Sequence, residues 1–481
     1  MSLFPNLNFI IFVKDHQTPA GMTLISSISG IRGTIGGSAG NNLTPIDVVK
    51  FASAYGTWLT LKRPNSDTVV IGRDARPSGE MVHQLVSATL VGLGFKVIDL
   101  GLSTTPTVEV AVPYYKAAGG IILTASHNPV EWNALKLLNY KGEFVTKKDG
   151  LEILEVLENE YFDFKQVRQL GRIEKVDDFG KEHIDQILKL KLVDRYAIQK
   201  ADLKVVVDGV NSSGGVYVPQ MLEALGVNNI IKINCQPNGW FTHNPEPLKE
   251  NLTELSEAIQ QHHADIGIAV DPDVDRLVFV DQRGELFGEE YTLVAVADYI
   301  LSHTKSAVVS NLSSSRALAD VAASHGVRHY YAAVGEVNVV EIMKRTDALI
   351  GGEGNGGIIY PELHYGRDAL VGIALFLSHL VKSGKSVSEL RATYPDYFMA
   401  KKKLQLVPEI RPEELEKAFK AKYQSERINE QDGIKVDFAE SWVHLRRSNT
   451  EPIMRIYTEA KSQEEADGLA DRIIGELREM M

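Results

Sequence analysis

The sequence lacks most features that would take it away from ordinary globular chemistry. One cysteine in 481 residues, Cys235, excludes an internal disulfide framework and suits a reducing compartment, so a cytoplasmic location is expected. No run of about 18 apolar residues is present, so no helix is expected to span a membrane. Basic residues are in deficit: 51 Lys and Arg against 63 Asp and Glu leave −12 at pH 7. That balance argues against a general nucleic-acid or anionic-membrane binder, while leaving room for a local basic cleft that holds small anions. Residues 1–21 lack the basic start, long apolar stretch and cleavage site of a signal peptide, despite the apolar Phe9–Val13. They read as an extension outside the fold; an extra edge strand is the alternative.

What is present describes an ordinary soluble chain. Apolar residues make up 44% and charged residues 24%, which excludes whole-chain disorder. At about 100–200 residues per domain, the length implies three or four domains. Short β-branched runs alternate with amphipathic segments. Strands are expected at Thr68–Gly72, Lys96–Gly101, Gly119–Ser126, Lys204–Asp208, Ile230–Ile233, Ile266–Asp271, Ala307–Asn311, His329–Val334 and Ala348–Gly352. Helices are expected near 45–62, 78–93, 214–225, 248–263, 289–304, 315–325 and 336–345. Alternation of this kind implies βαβ units and largely parallel sheets. Beyond about residue 400 the pattern changes to strands at Lys401–Val407, Trp442–Arg447 and Ile453–Glu459 with helices at Pro412–Tyr423 and Glu464–Arg478, a small α+β domain. The lysine run 401–403 reads as a solvated strand edge rather than a nucleic-acid patch.

The densest chemistry is Asp271-Pro272-Asp273-Val274-Asp275-Arg276, directly after an apolar strand. Three carboxylates this close repel one another and need a cation; hard oxygen donors in a short, stiff loop suit Mg²⁺. A calcium EF-hand is excluded, because Arg276 sits where that loop needs glycine and Gln282 where it needs glutamate. A second loop, Thr124-Ala125-Ser126-His127-Asn128-Pro129, also follows a strand, where α/β sheets bind ligands. Ser126 is a candidate nucleophile or phosphate carrier that His127 and Asn128 would orient, although no G-x-S-x-G elbow surrounds it and the stretch also reads as a plain turn. Lys136 lies ten residues on, a candidate proton carrier or a lysine on a surface helix.

Arg446-Arg447-Ser448-Asn449-Thr450 packs guanidinium groups beside hydroxyls and an amide, a composition suited to a phosphate cradle, with Arg455 in the next strand. Two earlier Gly/Arg loops, at 29–34 and 72–79, match neither a Walker A nor a Rossmann pattern and read equally as phosphate contacts or salt-bridged turns. The loop Gly351-Gly352-Glu353-Gly354-Asn355-Gly356-Gly357 carries two polar side chains, Glu353 and Asn355, that suit sugar hydroxyls; a structural turn is the alternative.

In this order, T-A-S-H-N-P with N-x-x-K, D-P-D-x-D-R, the G-E loop and R-x-S-N-T-E-P resemble the α-D-phosphohexomutase family of phosphoglucomutases, phosphomannomutases and phosphoglucosamine mutases. The resemblance spans about residues 22–481. It implies three similar α/β domains with mixed, mostly parallel sheets plus a smaller α+β C-terminal domain around a central cleft. The boundaries expected are 22–171, 172–284, 285–396 and 397–481. It further implies that Ser126 is the phosphoserine and, with Asp271, Asp273 and Asp275, a Mg²⁺ ligand, and that Arg276 accompanies the metal loop. Arg32 and Lys136 match residues of proton transfer, and Glu353 and Asn355 those of sugar recognition. Arg446, Ser448, Asn449 and Thr450 match the grip on the non-transferred phosphate. Two departures stand out: Ala134 replaces the usual glycine of N-G-x-K, and Asn355 and Gly357 replace the serine and histidine of G-E-x-S-G-H. The G-E-G-N-G-G version is similar to an archaeal-type subgroup in which phosphoglucosamine mutase activity is common.

The implied reaction interconverts hexose or hexosamine 6- and 1-phosphates through a sugar bisphosphate, with Lys136, assisted by Arg32, relaying a proton at a pKa lowered by neighbouring arginines. A Mg²⁺-dependent sugar phosphatase and a non-catalytic sugar-phosphate regulator are the rivals. No nucleic-acid or membrane partner is expected, and the chain is expected to be a monomer or homodimer.

Overall fold

The computed structural model describes residues 23–27, 30–406, 411–447 and 453–480. The expectations for residues 1–21 and for Ser448, Asn449 and Thr450 fall outside them.

Twenty strands form four sheets among the described residues. The first takes β1 (Ile25–Ser27), β2 (Gly30–Thr34), β3 (Thr68–Arg73), β4 (Lys96–Leu102), β5 (Gly119–Leu123), β6 (Trp132–Leu138) and β7 (Arg172–Lys175) in the order β1-β2-β6-β5-β3-β4-β7. Its β5-β3-β4-β7 half is parallel, and its β1-β2-β6 half joins antiparallel. The second takes β8 (Lys204–Asp208), β9 (Asn229–Ile233), β10 (Ile266–Val270) and β11 (Leu277–Asp281) as β11-β10-β8-β9. The third takes β12 (Val308–Asn311), β13 (His329–Ala332), β14 (Ile350–Glu353) and β15 (Gly357–Ile359) as β13-β12-β14-β15. The last is antiparallel throughout: β16 (Phe398–Gln405), β17 (Arg427–Asn429), β18 (Ile434–Asp437), β19 (Trp442–Arg447) and β20 (Ile453–Ala460), ordered β16-β20-β19-β18-β17. The chain therefore forms three α/β units and a C-terminal antiparallel-sheet unit, with the lysine-bearing β16 at an edge.

Sequence patterning found the parallel strands other than β7, most of which read as continuous apolar runs. It missed β1, β2, β6, β11 and β15, which pair antiparallel, the exposed and charged β7 at the parallel edge, and β17 and β18, which are short and carry charge. The strand expected at Gly119–Ser126 stops at Leu123. Lys136 lies on β6, not on a helix.

These return strands position the site. In each α/β unit a parallel strand ends in a loop and comes back as its antiparallel neighbour: β5 to β6, β10 to β11, β14 to β15. The serine, aspartate and Glu353 motifs occupy those three connections. One continuous core from Ile184 to Tyr394 serves the second and third sheets together, with helices Glu289–His303 and Ala369–Ser383 running through it. The C-terminal unit has its own core and docks on the third unit through polar groups. Arg316 donates to the carbonyls of Phe438, Ala439 and Ser441, and Lys435 Nζ to that of Leu312.

Beneath the serine loop, Tyr55 Oη donates to the carbonyls of Gly120 and Leu138, pinning β5 to β6. Gly119 makes room for that ring; a Cβ there would stand 2.3 Å from Tyr55 Oη and 2.6 Å from the Leu138 carbonyl oxygen. Gly119→Ala is expected to cost roughly 1–3 kcal/mol of stability through overpacking, read as a lower denaturant midpoint; an unchanged midpoint would remove this constraint.

Candidate active site

The aspartate loop is gripped from both sides. Thr105 N–H of the first unit donates to the Asp273 carbonyl at 2.9 Å, Ser212 Oγ to that of Pro272 at 2.8 Å, and Ala369 N–H of the third unit to that of Val274 at 3.1 Å. Val274 is fully buried with φ +63°, a left-handed conformation costly for a β-branched residue and typical of functional loops. That twist turns all three carboxylates inward. Asp271, Asp273 and Asp275 are completely buried, with one oxygen of each within 4.8 Å of the others.

Their hydrogen bonds divide the oxygens. Asp271 Oδ1 accepts from the N–H groups of Asp275 and Arg276, both at 3.1 Å. Asp271 Oδ2 accepts from Ser126 Oγ at 2.6 Å. Asp273 Oδ2 takes Thr105 Oγ1 at 2.5 Å and Lys136 Nζ at 2.6 Å; Asp275 Oδ2 takes Arg367 Nη2 at 2.7 Å. The Oδ1 atoms of Asp273 and Asp275 are buried with no hydrogen-bond partner. Burial, with Asp273 and Asp275 alongside, pushes the Asp271 carboxyl well above its usual range. Orphaned hard oxygens beside mutually repelling carboxylates fit a small divalent cation.

Ser126 sits one loop away at φ +50°, its side chain in line with the triad. Arg76, 1% exposed, holds that loop in place. Its guanidinium donates to the carbonyls of Ser126, Asn128, Pro129 and Trp132, and its Nε to Asp74. Asp74 in turn accepts from Thr124 Oγ1 at 2.7 Å. Arg76 of the 72–79 loop is thus a salt-bridged support. His127 Nδ1 lies 3.4 Å from Ser126 Oγ. Burial, with Arg276 nearby, lowers the His127 imidazole to about 2.

Lys136 corrects a sequence-based expectation. Burial pulls its ammonium down, but Asp273 and Asp275 outweigh that and hold it above its ordinary value. No arginine lowers it enough to matter in this arrangement. Arg32 on β2 is exposed and makes no ion pair with a described residue. Arg276 Nη1 pairs with Glu246 at 3.0 Å.

In the third unit, Glu353 is buried and engaged on both oxygens: Asn311 Nδ2 at 2.9 Å and Gly335 N–H at 3.0 Å on one, Arg367 Nη1 at 2.7 Å on the other. Burial raises its carboxyl, but Arg367 and these donors bring it below the usual value, so it stands as an anion. Asn355 Oδ1 accepts from Gly357 N–H within the loop. Arg367, which sequence reading missed, joins Asp275, Glu353 and Glu336 with a single guanidinium. Its only sequence signal is an Arg-Asp pair before an apolar helix.

In the C-terminal unit, Arg446 and Arg455 face each other across β19 and β20. Arg446 Nε pairs with Asp432 at 2.8 Å, and Asp432 accepts from Val334 N–H, next to the Gly335 that binds Glu353. Arg447 turns away to Glu413 and Glu416.

Two outcomes follow from this geometry. Arg367→Met leaves three buried carboxylates without their shared cation, and a loss of about 3–5 kcal/mol in denaturant unfolding is expected; a wild-type midpoint would contradict it. His127, neutral down to about pH 2, cannot shape a pH–rate profile between pH 5 and 9. His127→Asn is expected to scale the whole profile without moving either limb, and a displaced acid limb would count against this.

Models of the phosphoglucomutase/phosphomannomutase alpha/beta/alpha domains I, II and III and of the C-terminal domain match residues 25–164, 181–284, 288–397 and 400–476. A phosphoglucomutase/phosphomannomutase of Thermococcus kodakarensis is 36% identical over 438 residues, 90% of this chain and 95% of that protein. The phosphoglucosamine/phosphogalactosamine mutase of Sulfurisphaera tokodaii is 30% identical over 459 residues, 92% and 97% of the two chains. The fold is similar to a crystal structure of a phosphoglucomutase/phosphomannomutase family protein from Burkholderia thailandensis, with TM-score 0.81, 23% identity and 96% and 97% coverage. Matched by all four domain models in order along its length, the chain belongs to the phosphoglucomutase/phosphomannomutase family of α-D-phosphohexomutases.

Proposed function

We propose that this chain is a phosphohexomutase that interconverts the 6- and 1-phosphates of glucosamine through a bisphosphorylated sugar. The observation that carries the reading is Ser126 Oγ hydrogen-bonded at 2.6 Å to Asp271 inside a buried, cation-seeking triad, with Lys136 2.6 Å from Asp273. A serine so placed suits a phosphoryl carrier.

Phosphoryl transfer asks a protein mainly for positioning and charge. Arg76 fixes the Ser126 backbone, and the left-handed turn aims Oγ at the triad. In the forward half-reaction the Oγ–P bond of phospho-Ser126 breaks as a sugar hydroxyl oxygen bonds to phosphorus. The hydroxyl proton leaves to a base, and we assign that transfer to Lys136 as the neutral amine left once its ammonium has given up a proton, with Arg32 assisting across the β2–β6 pair. Bound at Ser126, Asp271, Asp273 and Asp275, Mg²⁺ would supply charge neutralisation for the transferring group and compete with Lys136 for the carboxylates that keep it protonated. In the second half-reaction the other phosphate returns to Ser126 Oγ. Glu353 and Asn355 are assigned to the sugar hydroxyls, and Arg446, Ser448, Asn449, Thr450 and Arg455 to the phosphate that is not transferred. A cradle that reads phosphate rather than sugar accepts either end of the bisphosphate. These arginines also explain how a chain of −12 accommodates an anionic substrate.

Glucose and mannose phosphates form the second reading, favoured by the Thermococcus kodakarensis relative named for both activities. Comparing kcat/KM on the three sugar phosphates is expected to rank glucosamine first; a glucose- or mannose-first order would transfer the assignment to the second reading. Ser126→Ala is expected to abolish interconversion on all three, and inorganic phosphate is expected to stay near background throughout. Steady phosphate release would identify a phosphatase instead.

A further inference from the structure

Where the three α/β units meet, a second buried cluster stands apart from the aspartate triad. Glu109 comes from helix Thr105–Tyr114 of the first unit and His183 from helix Phe179–Leu188 of the second. His364 and Asp368 come from the segment after β15 in the third. His183 and Asp368 are fully buried, Glu109 is 1% exposed, and the His364 side chain is 9% exposed.

Both imidazoles present Nε2 to one oxygen. His183 Nε2 lies 3.0 Å and His364 Nε2 3.3 Å from Asp368 Oδ2, with all three atoms within 4.8 Å of one another. Around a tetrahedral zinc with bonds of about 2.0–2.2 Å, neighbouring ligand atoms stand roughly 3.3–3.5 Å apart. The cluster is close to that spacing. Asp368 Oδ1 is committed elsewhere: it caps helix Ala369–Ser383 by accepting from the N–H groups of Leu370 and Val371. The carboxylate is thereby fixed with Oδ2 toward the histidines.

The outer nitrogens are supported as well. His183 Nδ1 is 3.0 Å from Thr107 Oγ1, which is itself 2.7 Å from Thr104 Oγ1. His364 Nδ1 is 3.3 Å from Glu109 Oε2. Histidines that ligate metals carry such partners on the second nitrogen, a hydroxyl or carboxylate that sets tautomer and orientation.

Glu109 supplies the independent observation. Neither of its buried carboxylate oxygens makes a hydrogen bond; Oε2 has the His364 Nδ1 ion-pair contact at 3.3 Å, and Oε1 has no polar partner among the described residues. Gly366 allows their approach, since a Cβ there would stand 1.8 Å from Glu109 Oε2. The cluster thus sets two carboxylates against two imidazoles in the buried interior. A divalent cation balances the set.

We propose that His183, His364 and Asp368 bind a zinc-class divalent cation, with water completing a tetrahedral shell and Glu109 as the outer partner of His364. The nitrogen-rich donors separate this site from the oxygen-only triad, which suits Mg²⁺. With a ligand from the second unit and two from the third, and the outer partner from the first, the ion staples three units at one point.

The test uses the full chain, stripped by a chelator and then dialysed against Zn²⁺ with Mg²⁺ in excess, followed by elemental analysis and thermal unfolding. About one zinc per chain and a raised Tm are expected in the wild type, and the same zinc in Asp273→Asn. His183→Ala and His364→Ala are expected to hold none and to lose the Tm gain. Glu109→Gln is expected to weaken zinc about 10- to 100-fold. A wild-type chain without zinc, or histidine variants that retain it, would overturn the proposal and leave the cluster held by a proton on His364. Should a histidine variant fail to fold, Co²⁺ titration of the wild type decides: visible bands of a tetrahedral site support the proposal, and their absence overturns it.

Discussion

The repulsion among three buried carboxylates is the constraint around which the rest of the molecule is arranged. Asp271, Asp273 and Asp275 have no access to bulk water, so their charges must be answered by groups the fold delivers. Each α/β unit delivers one. Lys136 arrives from β6 of the first sheet, Arg276 belongs to the metal loop itself, and Arg367 reaches in from the segment after β15. The units are held around the cleft by the same charges that make it reactive. Backbone strain is present in the same place: Ser126 and Val274, one in each of the facing loops, both adopt left-handed backbone.

The supporting architecture is a device used three times. A parallel strand brings a motif to the edge of its sheet, and an antiparallel return strand fixes the far end of the loop. A loop closed at both ends by sheet hydrogen bonds holds its side chains more tightly than a free crossover to a helix would. Arg76 adds a second anchor for the serine loop, with one guanidinium saturating four carbonyls. The C-terminal unit is attached differently, by Arg316, Lys435 and Asp432 through polar contacts rather than a shared core. That difference suits a unit whose Arg446 and Arg455 we assign to a phosphate rather than to the triad.

What was legible in the sequence was whatever is local. Asp271, Asp273 and Asp275 lie within five residues, and Ser126, His127 and Asn128 are contiguous, so spacing alone exposes their chemistry. Most of the parallel strands were legible for the same reason, as unbroken apolar runs; β7, R-I-E-K, was not. The return strands were not: β6 reads W-N-A-L-K-L-L, and nothing in it distinguishes a strand from one turn of helix until β5 and β2 flank it. Arg367, Glu336, Glu109 and Arg76 were illegible because each acquires its role from partners that other elements bring to it. Lys136 was located correctly but its charge was misjudged, since the arginines visible in sequence are outweighed by Asp273 and Asp275 in space.

That misjudgement bears on how the site is divided. Each of Asp273 and Asp275 commits Oδ2 to a protein cation and leaves Oδ1 buried and bare. Lys136 and Arg367 therefore answer one face of the triad, and no described side chain answers the other. A lysine can donate three hydrogen bonds and an arginine five, so the bare oxygens do not reflect a shortage of donors. They mark a face of the triad left without described protein donors, beside the Asp271 Oδ2 that Ser126 Oγ reaches. A face of that kind is where a small hard cation and a phosphoryl group can share oxygens, and it is bounded on its outer side by the two residues that pair with Asp273 and Asp275.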